Sequence, residues 1–392
     1  MADKLPTLSD KGIQQLDVLF QDFIDHKELP SVVALVANKE AIIYHKAFGV
    51  QDVGKGIEME LDSYFRMFSM TKAVTSVAIM MLLEEGLLSL DDPAAKYVPA
   101  YRNRPILDTI YTSGSSFTTK PAETEMTIRH LLNHTSGFGY AFKSETVEWL
   151  VEATGKGEHK LPLMFEPGSQ FLYGPSTHVL GRVIESISGK SLDVFLKERI
   201  LDPLGMKHTF YELPESDYGR LVTTHQRNEG SLAELPNPEK IPIFLRGDYG
   251  LISTAEDYGR FLQMLLQVAG GDESQLIKPS TFALMAQNQI GEISLPRDPD
   301  SMNYRSRPFP TGGGNDKFGL GFQISVDETP GLRPSGCLSW SGIQNTFFWI
   351  DPTNEIAAII LMQVDPYGDE ACASALLGFE QIVYRSLQSG NA

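Results

Sequence analysis

Ser69-Met70-Thr71-Lys72 is the only Ser-x-x-Lys of this chain, and it stands where such a pair can do chemistry. An extended-looking segment, Tyr64–Phe68, leads into it, and a helical apolar run, Thr71–Leu83, follows. A serine in the first turn of a helix lies in the positive field of the macrodipole, which favours a developing alkoxide. Three residues on is one turn along the same face, so Lys72 falls beside the hydroxyl. Lysine acts as a base only when its pKa is lowered, and burial in the apolar run would lower it. Taken alone, four such residues are more often a serine cap with a solvated lysine. The later motifs reverse that balance.

An activated serine also needs a group that protonates the leaving atom, and N–H donors for an oxyanion. Tyr173 is the candidate for the first. It sits in Glu166-Pro167-Gly168-Ser169-Gln170-Phe171-Leu172-Tyr173-Gly174-Pro175-Ser176, a turn-rich stretch that leads into a helical run. There it can be presented at a cleft edge, where a lysine would stabilise its phenolate. The oxyanion donors expected are the Ser69 N–H and one on a β edge near Trp340-Ser341-Gly342-Ile343, where a glycine lets substrate approach the main chain. Of the aromatic residues, Trp340 and Tyr249 are the ones expected to touch substrate, with Ser341 and Gly342 beside them; most others are core.

Elements must hold these groups in place. Ser9 caps a first helix in which Ile13, Leu16, Phe20, Phe23 and Ile24 share a face. Val32–Ala37 and Ala41–His45 form a hairpin across Asn38-Lys39-Glu40. Near the other end, Gly321–Val326, Thr346–Ile350 and Ile356–Met362 read as strands, the last two joined at Asp351-Pro352-Thr353-Asn354, and a closing helix runs over about 370–387. The stretch between, about 88–211, is mostly helical pattern broken by Pro and Gly, as in Thr177–Ile187 and Leu192–Ile200. The fold class is therefore mixed α/β (α+β): an antiparallel sheet built from both chain ends, flanked by helices, with a mainly helical insert. Residues 1–87 and 212–392 would form the sheet domain and 88–211 the helical one, with the site in the cleft between them. Pro296–Pro310 and Gly312–Asn315 read as mobile loops.

Composition narrows the classes of function. The 392 residues are 42 % apolar and 21 % charged, enough for a large core and too ordered in pattern for wholesale disorder. A net charge of −17 argues against nucleic acid and against anionic membrane as partners. The opening Met1–Pro6 has no apolar stretch behind a basic start, so no signal peptide is expected, and no run is long enough to span a bilayer. Two cysteines, Cys337 and Cys372, are too few for a disulfide framework or a zinc site. A cytoplasmic enzyme without metal or cofactor, acting on a small molecule, is expected. Ser188-Gly189-Lys190-Ser191 imitates the end of a P-loop but lacks its first glycine. His130 and His134 are spaced like metal ligands without the glutamate a metalloprotease needs, so both read as structural, with His134 ordering the turn at Thr135-Ser136-Gly137. No Gly-x-Ser-x-Gly occurs.

Ser69-x-x-Lys72, Tyr173 and Trp340-Ser341-Gly342 follow the order used by the serine β-lactamase and penicillin-binding-protein superfamily. Supporting segments are Gly86–Pro93, Thr127–Gly137, Pro203–Met206 and Gly250–Asp257. From about residue 15 to 385 the chain most resembles the class C β-lactamase-related esterases (family VIII carboxylesterases) and allied acyltransferases. The resemblance implies that Ser69 is acylated, Lys72 is its base, and Tyr173 relays protons to and from the leaving group. It implies an oxyanion hole of the Ser69 and Ile343 N–H groups. Two departures stand out. The family's Tyr-x-Asn is Tyr173-Gly174-Pro175 here, and proline offers no amide to hold the lysine, a role for which Ser176 or His178 are the nearest substitutes. The Lys-Thr-Gly that pairs with a β-lactam carboxylate is Trp340-Ser341-Gly342 here, which favours uncharged substrates. The function expected is hydrolysis of carboxylic esters of short to medium acyl chain. Acyl transfer by the same residues is the close alternative, then a β-lactamase or D-amino-acid peptidase, and last a catalytically silent binding protein.

Overall fold

The structure is a computed structural model that describes residues 5–111, 116–296 and 314–388. Its principal sheet has eight antiparallel strands. From one edge to the other they are Lys317–Phe318, Gln323–Ile324, Leu338–Gly342, Thr346–Asp351, Ile356–Leu361, Ser31–Asn38, Ile42–Asp52 and Ile57–Glu58. The join between the chain's two ends is central: Ile360 pairs with Ala34 and Ala358 with Val36. The sheet expected from both termini is therefore present.

Alternation along the strands sorts residues onto two faces. Val32, Ala34, Val36, Trp349 and Ala358 pack with Leu16 and Phe20 of the Asp10–Asp25 helix and with Leu376 and Phe379 of the Glu370–Ser386 helix. Val33, Leu35, Ala37, Phe348 and Ile359 join the larger core with Val77 of the Thr71–Glu84 helix and Phe261 of the Ala255–Ala269 helix. Local chemistry closes the turns. The Ser9 hydroxyl accepts the Gly12 N–H at the first helix, and the Asn38 side chain accepts the Glu40 and Ala41 N–H groups in the hairpin. Asp351 does the same for Thr353 and Asn354.

Three expectations change. The middle of the chain contains a hairpin, Ile106–Tyr111 with Ser116–Lys120, as well as helices. Thr224–Asn228 and Ser231–Leu235 form a second small sheet, to which Val364–Asp365 adds in parallel. Ile106, Thr224, His225 and Val364 are buried, but the other residues of these strands are partly or fully exposed, and none of the strands shows a sustained apolar alternation. The strand expected over Gly321–Val326 is paired only at Gln323–Ile324. Of the loops expected to be mobile, residues 297–313 lie outside the described residues. Cys337 and Cys372 are buried and unpaired with each other. Among the described residues no helix is long and apolar enough to cross a membrane.

Candidate active site

Phe65–Arg66 pairs with Ile252–Ser253, and the Met67 N–H donates to the Leu251 carbonyl at 2.9 Å. The chain then bends through Phe68, whose φ is 44°, into a 3-10 turn at Phe68–Met70 that continues as the Thr71–Glu84 helix. A left-handed phenylalanine is unfavourable and persists only when its surroundings hold it. Here Tyr258 donates to the Met70 carbonyl at 2.9 Å, and the Thr71 hydroxyl accepts the Leu251 N–H at 3.2 Å. Ser69 is thus presented by a tied-down bend. Every residue from Thr71 to Leu82 is buried, so Lys72 enters the core, as its apolar neighbours foretell.

Lys72 Nζ lies 3.0 Å from Ser69 Oγ, 2.9 Å from the Asp248 carbonyl oxygen and 3.2 Å from the Tyr140 hydroxyl. Burial lowers its pKa to about 7, with Asp248 opposing the fall and Arg246 adding to it. The same contacts aim the amine. Tyr140 donates its hydroxyl proton to Asp248 Oδ2 at 2.7 Å, so towards Lys72 it can only accept. The Asp248 carbonyl can only accept as well. A neutral amine has two protons for those acceptors, and its lone pair is left facing Ser69.

Tyr173 reaches Ser69 Oγ from the other side at 2.7 Å. Its segment lies against the 134–140 loop: the Leu172 N–H donates to His134, and Tyr173 accepts the Tyr140 N–H. Gly174 is required by that approach, since a Cβ there would stand 2.3 Å from the Phe138 carbonyl oxygen. Burial raises the Tyr173 hydroxyl above a tyrosine's usual value, so at neutral pH it is a phenol rather than a stabilised phenolate. A buried lysine and a protonated tyrosine thus meet at one serine oxygen.

The Leu338–Gly342 strand closes the remaining side. A Cβ on Gly342 would lie 2.7 Å from the Met67 carbonyl, so this backbone touches the bend that presents Ser69. Ile343 follows at once. Trp340 packs edge to face on Tyr173, with ring centres 5.0 Å apart, and stacks on His134 at 6.2 Å. Phe318 meets Trp340 edge-on at 5.2 Å, giving Ser69 an aromatic flank and no cation from this strand.

The family described as Beta-lactamase matches residues 16–381. The chain belongs to the Beta-lactamase family. The acyltransferase calJ of Penicillium decumbens is 30 % identical over 83 % of this chain and 82 % of its own length. The lovastatin esterase of Penicillium rubens is 27 % identical over 94 % and 98 %. Among solved structures, a LovD6 mutant of simvastatin synthase (LOVD) from Aspergillus terreus superposes with a TM-score of 0.84 at 24 % identity, covering 96 % of this chain and 95 % of that one. This Beta-lactamase-family protein is an enzyme of the β-lactamase-related serine hydrolase and acyltransferase group, and the superposition extends the fold likeness to almost its full length.

Lys72 and Tyr173 both reach Ser69 Oγ. Neither substitute for the missing asparagine reaches Lys72. The Ser176 hydroxyl pairs with Ser136 at 2.8 Å, and the His178 ring lies against His159 at 4.8 Å, because the Ser176–Ser188 helix starts just after Pro175 and turns both side chains away. Tyr140 and Asp248 take that place. Asn133 ties the Thr135 turn by accepting the Thr135 N–H and hydroxyl, and His134 bends the chain into it with a φ of 58° while its ring faces Trp340. Tyr249 packs on Phe244 and under Arg246, and the working residue of its turn is the neighbouring Asp248. The Ser341 hydroxyl bonds Tyr367 at 3.1 Å.

Proposed function

We propose that this enzyme cleaves carboxylic esters of short to medium acyl chain through an acyl-enzyme on Ser69. The observation that carries the reading is that one oxygen, Ser69 Oγ, is in hydrogen-bond contact with a lysine whose pKa is near 7 and with a tyrosine that stays protonated. Ser69 Oγ attacks the carbonyl carbon as Lys72 removes its proton. The Ser69 and Ile343 N–H groups receive the oxyanion. When the carbon–oxygen bond to the leaving alcohol breaks, Tyr173 supplies the proton and is restored by the one held on Lys72. Water then repeats the sequence in reverse and frees Ser69. An alcohol in place of water gives acyl transfer with the same residues, which the relative named as an acyltransferase supports as the second reading.

Trp340 supports an uncharged substrate, since a carboxylate placed on its aromatic flank would be desolvated without a partner. Trp340, Ser341, Gly342 and Tyr249 would line the site, at the junction of a sheet domain and the mainly helical 88–211 region. Both readings are tested by p-nitrophenyl esters of increasing acyl length with and without added alcohol. Turnover that falls for long chains supports the ester reading, and new ester product in the presence of alcohol identifies transfer. Turnover of a chromogenic cephalosporin faster than of p-nitrophenyl butyrate would overturn both.

A further inference from the structure

The acid in direct contact with Lys72 is Asp248. Asp248 is fully buried; its carbonyl bonds the lysine and its carboxylate bonds Tyr140, which also touches the lysine. A carboxylate beside a buried lysine favours the protonated amine and so opposes the effect of burial. Arg246 stands in the way of that outcome. Its Nε and a terminal nitrogen meet the two carboxylate oxygens of Asp248 at 2.9 Å each, the paired geometry arginine uses for carboxylates. Its side chain is 19 % exposed, so the positive charge lies between the buried network and the outside.

We propose that Arg246 is a positioning residue for catalysis: by neutralising Asp248 it lets that residue aim Lys72 without holding a proton on it. This rests on the reading of Lys72 as the base of Ser69. The other groups facing the lysine do not replace Arg246. Ser69, Tyr140 and Tyr173 are neutral hydroxyls, and His134 is kept uncharged by burial beside the lysine. Glu158, which accepts the Ala141 N–H at 2.9 Å, is an acid that adds to the pull on the proton. Around Arg246 itself lie Tyr249, whose ring centre is 4.7 Å from the guanidinium, and the neutral pair His159 and His178. The Arg246 carbonyl oxygen also accepts the Tyr211 hydroxyl proton at 2.8 Å, which fixes its backbone. The cation is thus held where only Asp248 uses it fully.

Two variants should move Lys72 in opposite directions, which the loss of a merely structural residue would not do. Arg246→Gln leaves Asp248 uncompensated, so Lys72 should hold its proton to higher pH. Asp248→Asn leaves Arg246 uncompensated, so Lys72 should lose it at lower pH. The double variant should return towards the wild type, and Arg246→Lys should move little. The experiment is an NMR titration of ¹⁵N-lysine-labelled protein, with Lys72 assigned by its loss in Lys72→Ala, alongside the pH profile of p-nitrophenyl butyrate hydrolysis. A shift of about one pH unit in each direction is expected, which is tenfold in the fraction of free amine. If Arg246→Gln does not fold, the Asp248→Asn shift decides alone. An unmoved Lys72 titration in the folded variants overturns the proposal whatever the hydrolysis rate. A moved titration in a protein that releases no nitrophenol upholds it and sinks the ester reading instead.

Discussion

Lys72 can take a proton from Ser69 only if it begins without one. An ordinary lysine titrates at about 10.4, so its free amine is scarce at neutral pH. Burial brings Lys72 to about 7. The active form is the uncharged one, so kcat/KM should rise with pH through about 7 and then level, well below the range of an exposed lysine. A profile flat from pH 5 to 9 would contradict the assignment of the base. Tyr173→Phe removes the proton donor but leaves the ring on Trp340. It should slow turnover by about 10²–10⁴, the usual contribution of an acid–base group, with KM little changed. Tyr140→Phe removes one acceptor from Lys72 and one donor from Asp248, and about a tenfold loss in kcat is expected, the scale of a single hydrogen bond. Both are read from steady-state kinetics on proteins whose circular dichroism matches the wild type.

At the scale of elements, two segments far apart in the chain must touch for the site to exist. The bend at Met67–Phe68 and the strand ending at Gly342 approach so closely that an added Cβ would lie 2.3 Å from Thr346 Oγ1 and 2.7 Å from the Met67 carbonyl. Gly342→Ala should therefore push the strand away from Ser69, lowering kcat at least tenfold and stability by about 1–3 kcal/mol, the usual cost of overpacking. Kinetics and thermal melts check both halves. The same distances explain what the sequence revealed. Ser69 and Lys72 are three residues apart, so helix periodicity alone pairs them. The partners of Lys72 lie 68 and 176 residues along, and no local pattern announces them. Tyr140 reads as one more core aromatic, and Asp248 as a turn residue beside a more conspicuous tyrosine. Strands with an apolar face were legible, whereas the pairing of Ile106–Tyr111 with Ser116–Lys120 was not, because its packed residues, Ile106, Leu107 and Phe117 among them, do not alternate along either strand.

For the whole molecule, the closing helix must be fastened to the sheet that carries Trp340. Arg333, shortly before that strand, pairs with Glu380 of the Glu370–Ser386 helix at 2.6 Å, with Glu380 only 2 % exposed, and lies over the Trp349 ring. Glu380→Gln should cost about 3 kcal/mol, because it strands a buried cation. Burial pushes the Glu380 carboxyl up, but Arg333 outweighs it and holds the group below the usual glutamate value. A depressed folded value means the stabilisation is whole above the unfolded pKa of about 4.3 and is lost as pH falls through the folded one. Urea unfolding of wild type and variant should differ at pH 7 and converge in acid. The net charge of −17, with Trp340 where a cation would bind a carboxylate, should make anionic cephalosporins poor substrates beside neutral esters. The central proposal is the transfer of an acyl group to Ser69. The most direct measurement is the mass of the acid-quenched protein and its Ser69 peptide during turnover of p-nitrophenyl butyrate, in wild type and in Ser69→Ala. The account predicts a butyryl increment on that peptide, a matching burst of nitrophenol, and neither in the variant. Undiminished nitrophenol release from Ser69→Ala would contradict it.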